Sequence, residues 1–218
     1  MLVFPNWRRI SAALAANGVA VTPEVLAAAE PRAKRVLDVK EQIRAGNDAS
    51  RGWTYFNLLL AEAGTPRSAA TDRALEELHA YHAAHNLWEL VPDGVVPALE
   101  RLRRRAARMV VVSNANGRLH VMMDRLGLAR FFDLILDSQL EGVEKPDPRL
   151  FAIALERAGA RAETTLHLGD FYWIDVRGAR AAGVHPVLLD AAWLYDAADC
   201  PRVRSLGELA DRLGAPTL

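Results

Sequence analysis

Apolar residues recur every three or four positions from Trp7 to Trp88, and beyond that point they gather into short β-branched runs. In the first part, Asn6 precedes Trp7, Ile10, Ala13 and Leu14, with Gly18 behind them, which predicts a capped amphipathic helix with a glycine stop. Thr22-Pro23-Glu24 opens another, because proline suits the first helical turn. Trp53, Phe56, Leu59 and Leu60 define an apolar face ended by Gly64, and Leu75, Leu78, Tyr81 and Leu87 continue the spacing. No stretch here alternates as a strand would, so residues 8–88 are expected to form a helical bundle.

The second part reads differently. Asp93 is expected to cap a helix running through Arg105, followed by a strand over Met109 to Val112. Helix is predicted from Gly117 to Leu126 with a stop at Gly127, strand over Leu134 to Leu136, and helix from Pro148 to Ala158. Thr165 to Leu168 and Val187 to Leu189 read as strands around a helix over Val176 to Ala182, stopped by Gly183. Helices alternating with short apolar strands imply βαβ units, hence an α/β fold with a parallel sheet. Ligands of such sheets sit beyond the carboxyl ends of the strands. Ser113, Lys145 and Asp170 fall at or after such ends.

Those positions carry usable chemistry. Asp170 and Asp175 bracket a strand-to-helix loop, and hard carboxylate oxygens with open water positions suit Mg²⁺. The plain alternative is that either aspartate caps the helix that follows. Ser113 is positioned to donate its hydroxyl to a phosphoryl oxygen or simply to close a turn. Lys145 offers a compact ammonium to a transferring group, or is an ordinary surface lysine before a proline.

Composition narrows the partners. The 27 basic and 27 acidic residues cancel, so no global field favours nucleic acid or an anionic membrane. The arginines at 101, 103, 104, 105 and 108 are expected to be a solvated helix end. Cys200 is the one cysteine, which excludes an intramolecular disulfide and fits a reducing compartment. Neither a signal-peptide pattern nor an apolar run of about 18 residues occurs, so a cytoplasmic protein is expected.

Taken in order, Val110–Asn114, Gly142–Phe151 (GVEKPDPRLF) and Gly169–Gly183 (GDFYWIDVRGARAAG) resemble the second, third and fourth motifs of the haloacid dehalogenase-like hydrolase superfamily. The resemblance is close over residues 91–190. It implies a Rossmann-like core made of residues 1–7 and 89–218, an α-helical cap over 8–88, and phosphoryl transfer through an aspartyl-phosphate. By the same resemblance Ser113 and Lys145 hold the phosphoryl group, Asn114 contributes mainly through its backbone, and Asp170 and Asp175 serve Mg²⁺. The implied reaction is hydrolysis of a small phosphorylated metabolite. Dehalogenation of a 2-haloacid on the same fold needs no metal, so the Asp170/Asp175 pair argues against it.

One part of the family pattern is absent. Its nucleophilic aspartate closes the first strand, yet the chain opens Met1-Leu2-Val3-Phe4-Pro5 and has no aspartate before Asp38. The first core strand is therefore expected to be missing, with a coding start placed too far downstream as the favoured explanation. On that reading the 218 residues are inactive and poorly stable; a non-catalytic phosphate- or partner-binding protein is the other reading. His79, His82 and His85 are expected to be packing or surface residues rather than a metal site, and Phe171-Tyr172-Trp173 to pack the loop or line an entrance.

Overall fold

The computed structural model describes residues 1–214, without the side chains of Arg44, Ala45, Asp48 and Ala49; the end of the expected core, residues 215–218, lies outside the described residues. The chain divides into two compact units, Val3–Leu90 and Val91–Leu218 together with Met1–Leu2.

The first unit is helical. A short strand β1 (Phe4–Pro5) leads into α1 (Trp7–Ala16), α2 (Pro23–Leu37), α3 (Lys40–Ala45), α4 (Asp48–Glu62) and α5 (Ala69–His85), and β2 (Trp88–Leu90) closes it. The caps are those the side chains demand: Asn6 accepts from the Arg9 N–H at 3.0 Å and Thr22 from the Val25 N–H at 3.4 Å. Gly18 and Gly64, the expected stops, adopt positive φ. Ile10, Leu14, Leu26, Leu59, Leu75, Leu78 and Leu87 fill the core. Trp53 departs from the expected apolar face. It is 37% exposed and stacks on His79, while Tyr55 and Leu59, four apart, carry the buried stripe.

Periodicity also missed the antiparallel pairing of β1 with β2. Two- and three-residue strands are too short for alternation to register. Glu89 fastens the ribbon by accepting from Asn6 Nδ2 at 2.9 Å and from the Tyr81 hydroxyl at 2.6 Å.

The second unit is α/β. Its elements are α6 (Val95–Arg103), β3 (Val110–Ser113), α7 (Leu119–Arg125), β4 (Leu134–Asp137), α8 (Ser138–Glu141), α9 (Pro148–Ala158), β5 (Leu166–Gly169), α10 (Arg177–Ala181), β6 (His185–Leu189), β7 (Arg202–Val203) and α11 (Leu206–Gly214). Every ladder is parallel: β3 lies in register with β4 from Val110↔Leu134 to Ser113↔Asp137, and β5 with β6 from Leu166↔His185 to Gly169↔Leu188, with β7 beyond. Among the described residues no ladder joins β3 to β5. Burial follows that break. Ile135 and Leu136 of β4 are buried, all four residues of β3 are only partly covered, and Leu166 of β5 is 39% exposed. The expected fold class, a parallel α/β core with a separate helical unit, is what the chain adopts.

Three local expectations need correction. Asp93 does not cap α6, which begins after Gly94 without a side-chain cap. The α7 helix starts at Leu119 rather than Gly117, because the buried Asp137 carboxylate receives its first N–H at 3.1 Å and that of Gln139 at 3.0 Å. The arginines near α6 are not merely solvated: Arg103 and Arg108 converge on Asp133, Arg101 pairs with Asp211, and Arg105 reaches the Gly214 carbonyl.

Candidate active site

The carboxyl ends of β3 and β5 organise the candidate site. After Gly169 the chain enters a π-turn over Tyr172–Val176, with the Phe171 carbonyl accepting from both Asp175 N–H (2.8 Å) and Val176 N–H (3.4 Å). This wider turn swings Asp175 back under the loop. A Cβ at position 169 would overlap the Asp175 carboxyl, so only glycine leaves room for it.

Asp175 is 3% exposed and every acceptor position it has is filled. Oδ2 accepts from the backbone N–H groups of Asp170 (3.1 Å) and Phe171 (3.0 Å). Oδ1 accepts from Lys145 Nζ at 2.7 Å and from His167 Nε2 at 3.1 Å. Burial alone would raise its pKa, but the Lys145 ammonium and the His167 donor hold the carboxyl well below the usual range. The expectation that Asp175 faces Mg²⁺ thus meets a carboxylate already saturated by the protein. It anchors the loop and the lysine.

Lys145 is assembled with equal care. Its ammonium donates to Asp175 and to the Val112 carbonyl at 2.9 Å, the last peptide before Ser113. Among the described residues its third N–H meets no protein acceptor. Its own peptide is clamped by the Asn114 side chain, whose Oδ1 accepts from Lys145 N–H (2.8 Å) and whose Nδ2 donates to Lys145 O (3.0 Å). Asn114 was expected to act through its backbone; here its amide joins two segments 31 residues apart. The next residue, Pro146, packs against Gly178 of α10, where a Cβ would come within 2.8 Å of Phe151 and 3.1 Å of Pro146.

His167 escaped the sequence reading. It sits in β5 with its ring edge-on to Phe151, centroids 4.8 Å apart. Burial pushes its pKa down, against the upward pull of Asp175. The available signal was a polar residue two positions before Gly169 in an otherwise apolar strand, placed on the same face as that glycine.

Ser113 ends β3, its hydroxyl donating to the Asn114 carbonyl at 3.2 Å, and Asp170 is half-buried at the end of β5. Lys145, Asn114 and Asp175 meet directly, whereas Ser113 and Asp170 join them through neighbouring backbone. No group of three His, Cys, Asp or Glu side chains that could hold a metal occurs among the described residues. Asp170 offers one carboxylate after β5, an oxygen donor of the kind that Mg²⁺ commonly combines with water and substrate oxygens. The three histidines of α5 are engaged elsewhere: His79 on Trp53, His85 on Tyr81, and His82 accepting the Leu87 N–H while packing on Trp88. Tyr172 donates to Asp199 at 2.8 Å and Trp173 lies under Arg177.

Comparisons with known proteins identify the family. Residues 5–183 match the haloacid dehalogenase-like hydrolase family. The mouse haloacid dehalogenase-like hydrolase domain-containing protein 3 is 34% identical over 62% of this chain and 54% of its own length. A ribulose-1,5-bisphosphate 5-phosphatase of Halopiger xanaduensis is 31% identical over 73% of this chain and 71% of its own. The phosphoserine phosphatase of Thermus thermophilus is 36% identical over 62% of this chain and 53% of its own. The chain spans about half the length of the first relatives it matches. In fold, a magnesium-bound HAD-hydrolase of Bacillus subtilis superposes with a TM-score of 0.67 at 20% identity, covering 97% of this chain and 94% of that one. No helix among the described residues is long and apolar enough to cross a membrane. With the motif residues held at the ends of parallel strands and the match running through most of its length, the chain belongs to the haloacid dehalogenase-like hydrolases.

Proposed function

We propose that this protein is a Mg²⁺-dependent phosphatase of a small phosphorylated metabolite, acting in the cytoplasm through an aspartyl-phosphate. The observation that carries the reading is Lys145: a buried ammonium fixed by Asp175 and the Val112 carbonyl, with one N–H left to donate among the described residues. Such a preorganised cation is what charge developing on a phosphoryl group requires. The Ser113 hydroxyl, released from the Asn114 carbonyl, donates to a second phosphoryl oxygen. Asp170 is the residue that would hold Mg²⁺, which when bound supplies further charge neutralisation. The relatives named as phosphatases, at 31% and 36% identity, favour phosphoryl transfer over dehalogenation.

The reading requires a phosphoryl-accepting carboxylate, and no aspartate precedes Asp38. We place that carboxylate on a further parallel strand of about 5 or 6 residues, paired with β3 on one side and β5 on the other. Both strands are laddered on one side only among the described residues. The test is hydrolysis of p-nitrophenyl phosphate with Mg²⁺, by the 218-residue chain and by a form extended upstream of Met1. Turnover by the extended form, abolished by Asp170→Asn, is expected, with the 218-residue chain at background. Robust turnover by the shorter chain would give the nucleophile to another residue. Halide release from a 2-haloacid without metal would favour the dehalogenase reading. Silence of both forms would leave a phosphate- or partner-binding protein.

A further inference from the structure

The geometry points to His167 as a positioning residue that acts through Asp175 to aim the Lys145 ammonium. Asp175 Oδ1 is shared by two donors, Lys145 Nζ at 2.7 Å and His167 Nε2 at 3.1 Å. A carboxylate oxygen has no proton to give, so the proton of that contact must sit on Nε2, leaving Nδ1 bare in the neutral ring. The ring cannot easily turn away, because its edge-to-face contact with Phe151 (centroids 4.8 Å, planes at 86°) fixes its plane. Phe151 itself is buried and touches the space beside Gly178 and Pro146, next to Lys145 in sequence. One packed unit therefore sets both the lysine's backbone and the orientation of its counter-ion.

Two consequences follow for the ammonium. With Oδ2 held by two backbone N–H groups and Oδ1 by His167, the carboxylate cannot rotate to follow Lys145, so the lysine's bond directions are imposed on it. Sharing Oδ1 with a second donor also spreads the negative charge that Asp175 presents to Lys145. More of the lysine's positive charge is left for an incoming anion. The functional weight of this assignment rests on the phosphatase reading, but its structural content does not.

The experiment uses the full ¹⁵N-labelled chain and needs no turnover. Long-range ¹H–¹⁵N spectra are expected to show His167 as the Nε2–H tautomer, assigned by its loss in His167→Phe. That variant keeps a ring against Phe151 and removes the donor. It should shift the Lys145 Nζ resonance or speed its proton exchange, and His167→Gln, which restores an N–H donor, should move it part of the way back. An Nδ1–H tautomer in the wild type, or a Lys145 signal indifferent to His167→Phe, would overturn the proposal, and through-bond correlation of the ring to the His167 backbone amide assigns the tautomer even if a variant fails to fold. In a form that hydrolyses phosphomonoesters, His167→Phe should lower kcat about 10- to 100-fold with KM little changed. If no form hydrolyses phosphate while the tautomer and the Lys145 response hold, the phosphatase reading falls and the role of His167 stands.

Discussion

The two units each bury a lysine against a carboxylate, and the pairs match in distance and burial but differ in how they are assembled. In the helical unit Lys34 meets Glu30 at 2.5 Å, with 11% and 6% of their side chains exposed. In the α/β unit Lys145 meets Asp175 at 2.7 Å, with 10% and 4% exposed. The first pair is one helical turn apart on α2, a spacing that any helix brings together, with Lys34 also lying 5.7 Å from the centre of the Phe4 ring. The second joins a loop to a π-turn 30 residues away and draws on Val112, Asn114 and His167 as well. A local pair lends its helix stability. A pair assembled from distant segments holds several of them in one geometry, and only such a pair can present a charged group at a set angle to a ligand.

That contrast can be broken by mutation. Asp175→Ala should have the largest effect, since it strands the Lys145 ammonium and two loop N–H groups in a buried setting. A loss of about 3–5 kcal/mol is expected, read as a lowered denaturant midpoint. Glu30→Gln should cost about 1–2 kcal/mol, because the amide oxygen still accepts from Lys34 and only the charge of one partner is lost. A Glu30 variant as damaging as the Asp175 one would show that the helical pair is equally committed to tertiary structure.

The smallest effect expected is in the pH dependence of stability, and it separates the residues around Asp175. Asp175 has a depressed pKa, so its contribution is present above the unfolded carboxyl value of about 3.9 and is lost as pH falls through the folded one. Burial also depresses His167, which is neutral in the fold; its contribution is present above about pH 6.5 and declines as pH drops below that value. Denaturation midpoints should therefore begin to fall below neutrality, before any carboxylate titrates. His167→Phe should flatten that early slope without removing it, because His82 in the helical unit is depressed by burial in the same direction. An unchanged slope would mean that His167 is not buried neutral.

Much of this molecule could be read without coordinates, because its signals are short-range. Asn6 and Thr22 cap the helices they precede, the helix predicted from Pro148 to Ala158 has those bounds, and Gly127 and Gly183 turn the chain with positive φ. Each depends on a few neighbouring residues and the intrinsic geometry of the backbone. The strands of the α/β unit were legible for the same reason, as apolar runs between helices, whereas β1, β2 and β7 were too short to leave a pattern. For the site, the motif resemblance put forward Ser113, Asn114, Lys145, Asp170 and Asp175 as candidates without dividing the work among them. That Asp175 serves the lysine, that Asn114 clamps a peptide 31 residues away, and that His167 belongs to the cluster at all depend on which acceptors remain once the chain has closed on itself. A carboxylate has a fixed number of lone pairs, and only the folded chain determines which donors reach them first.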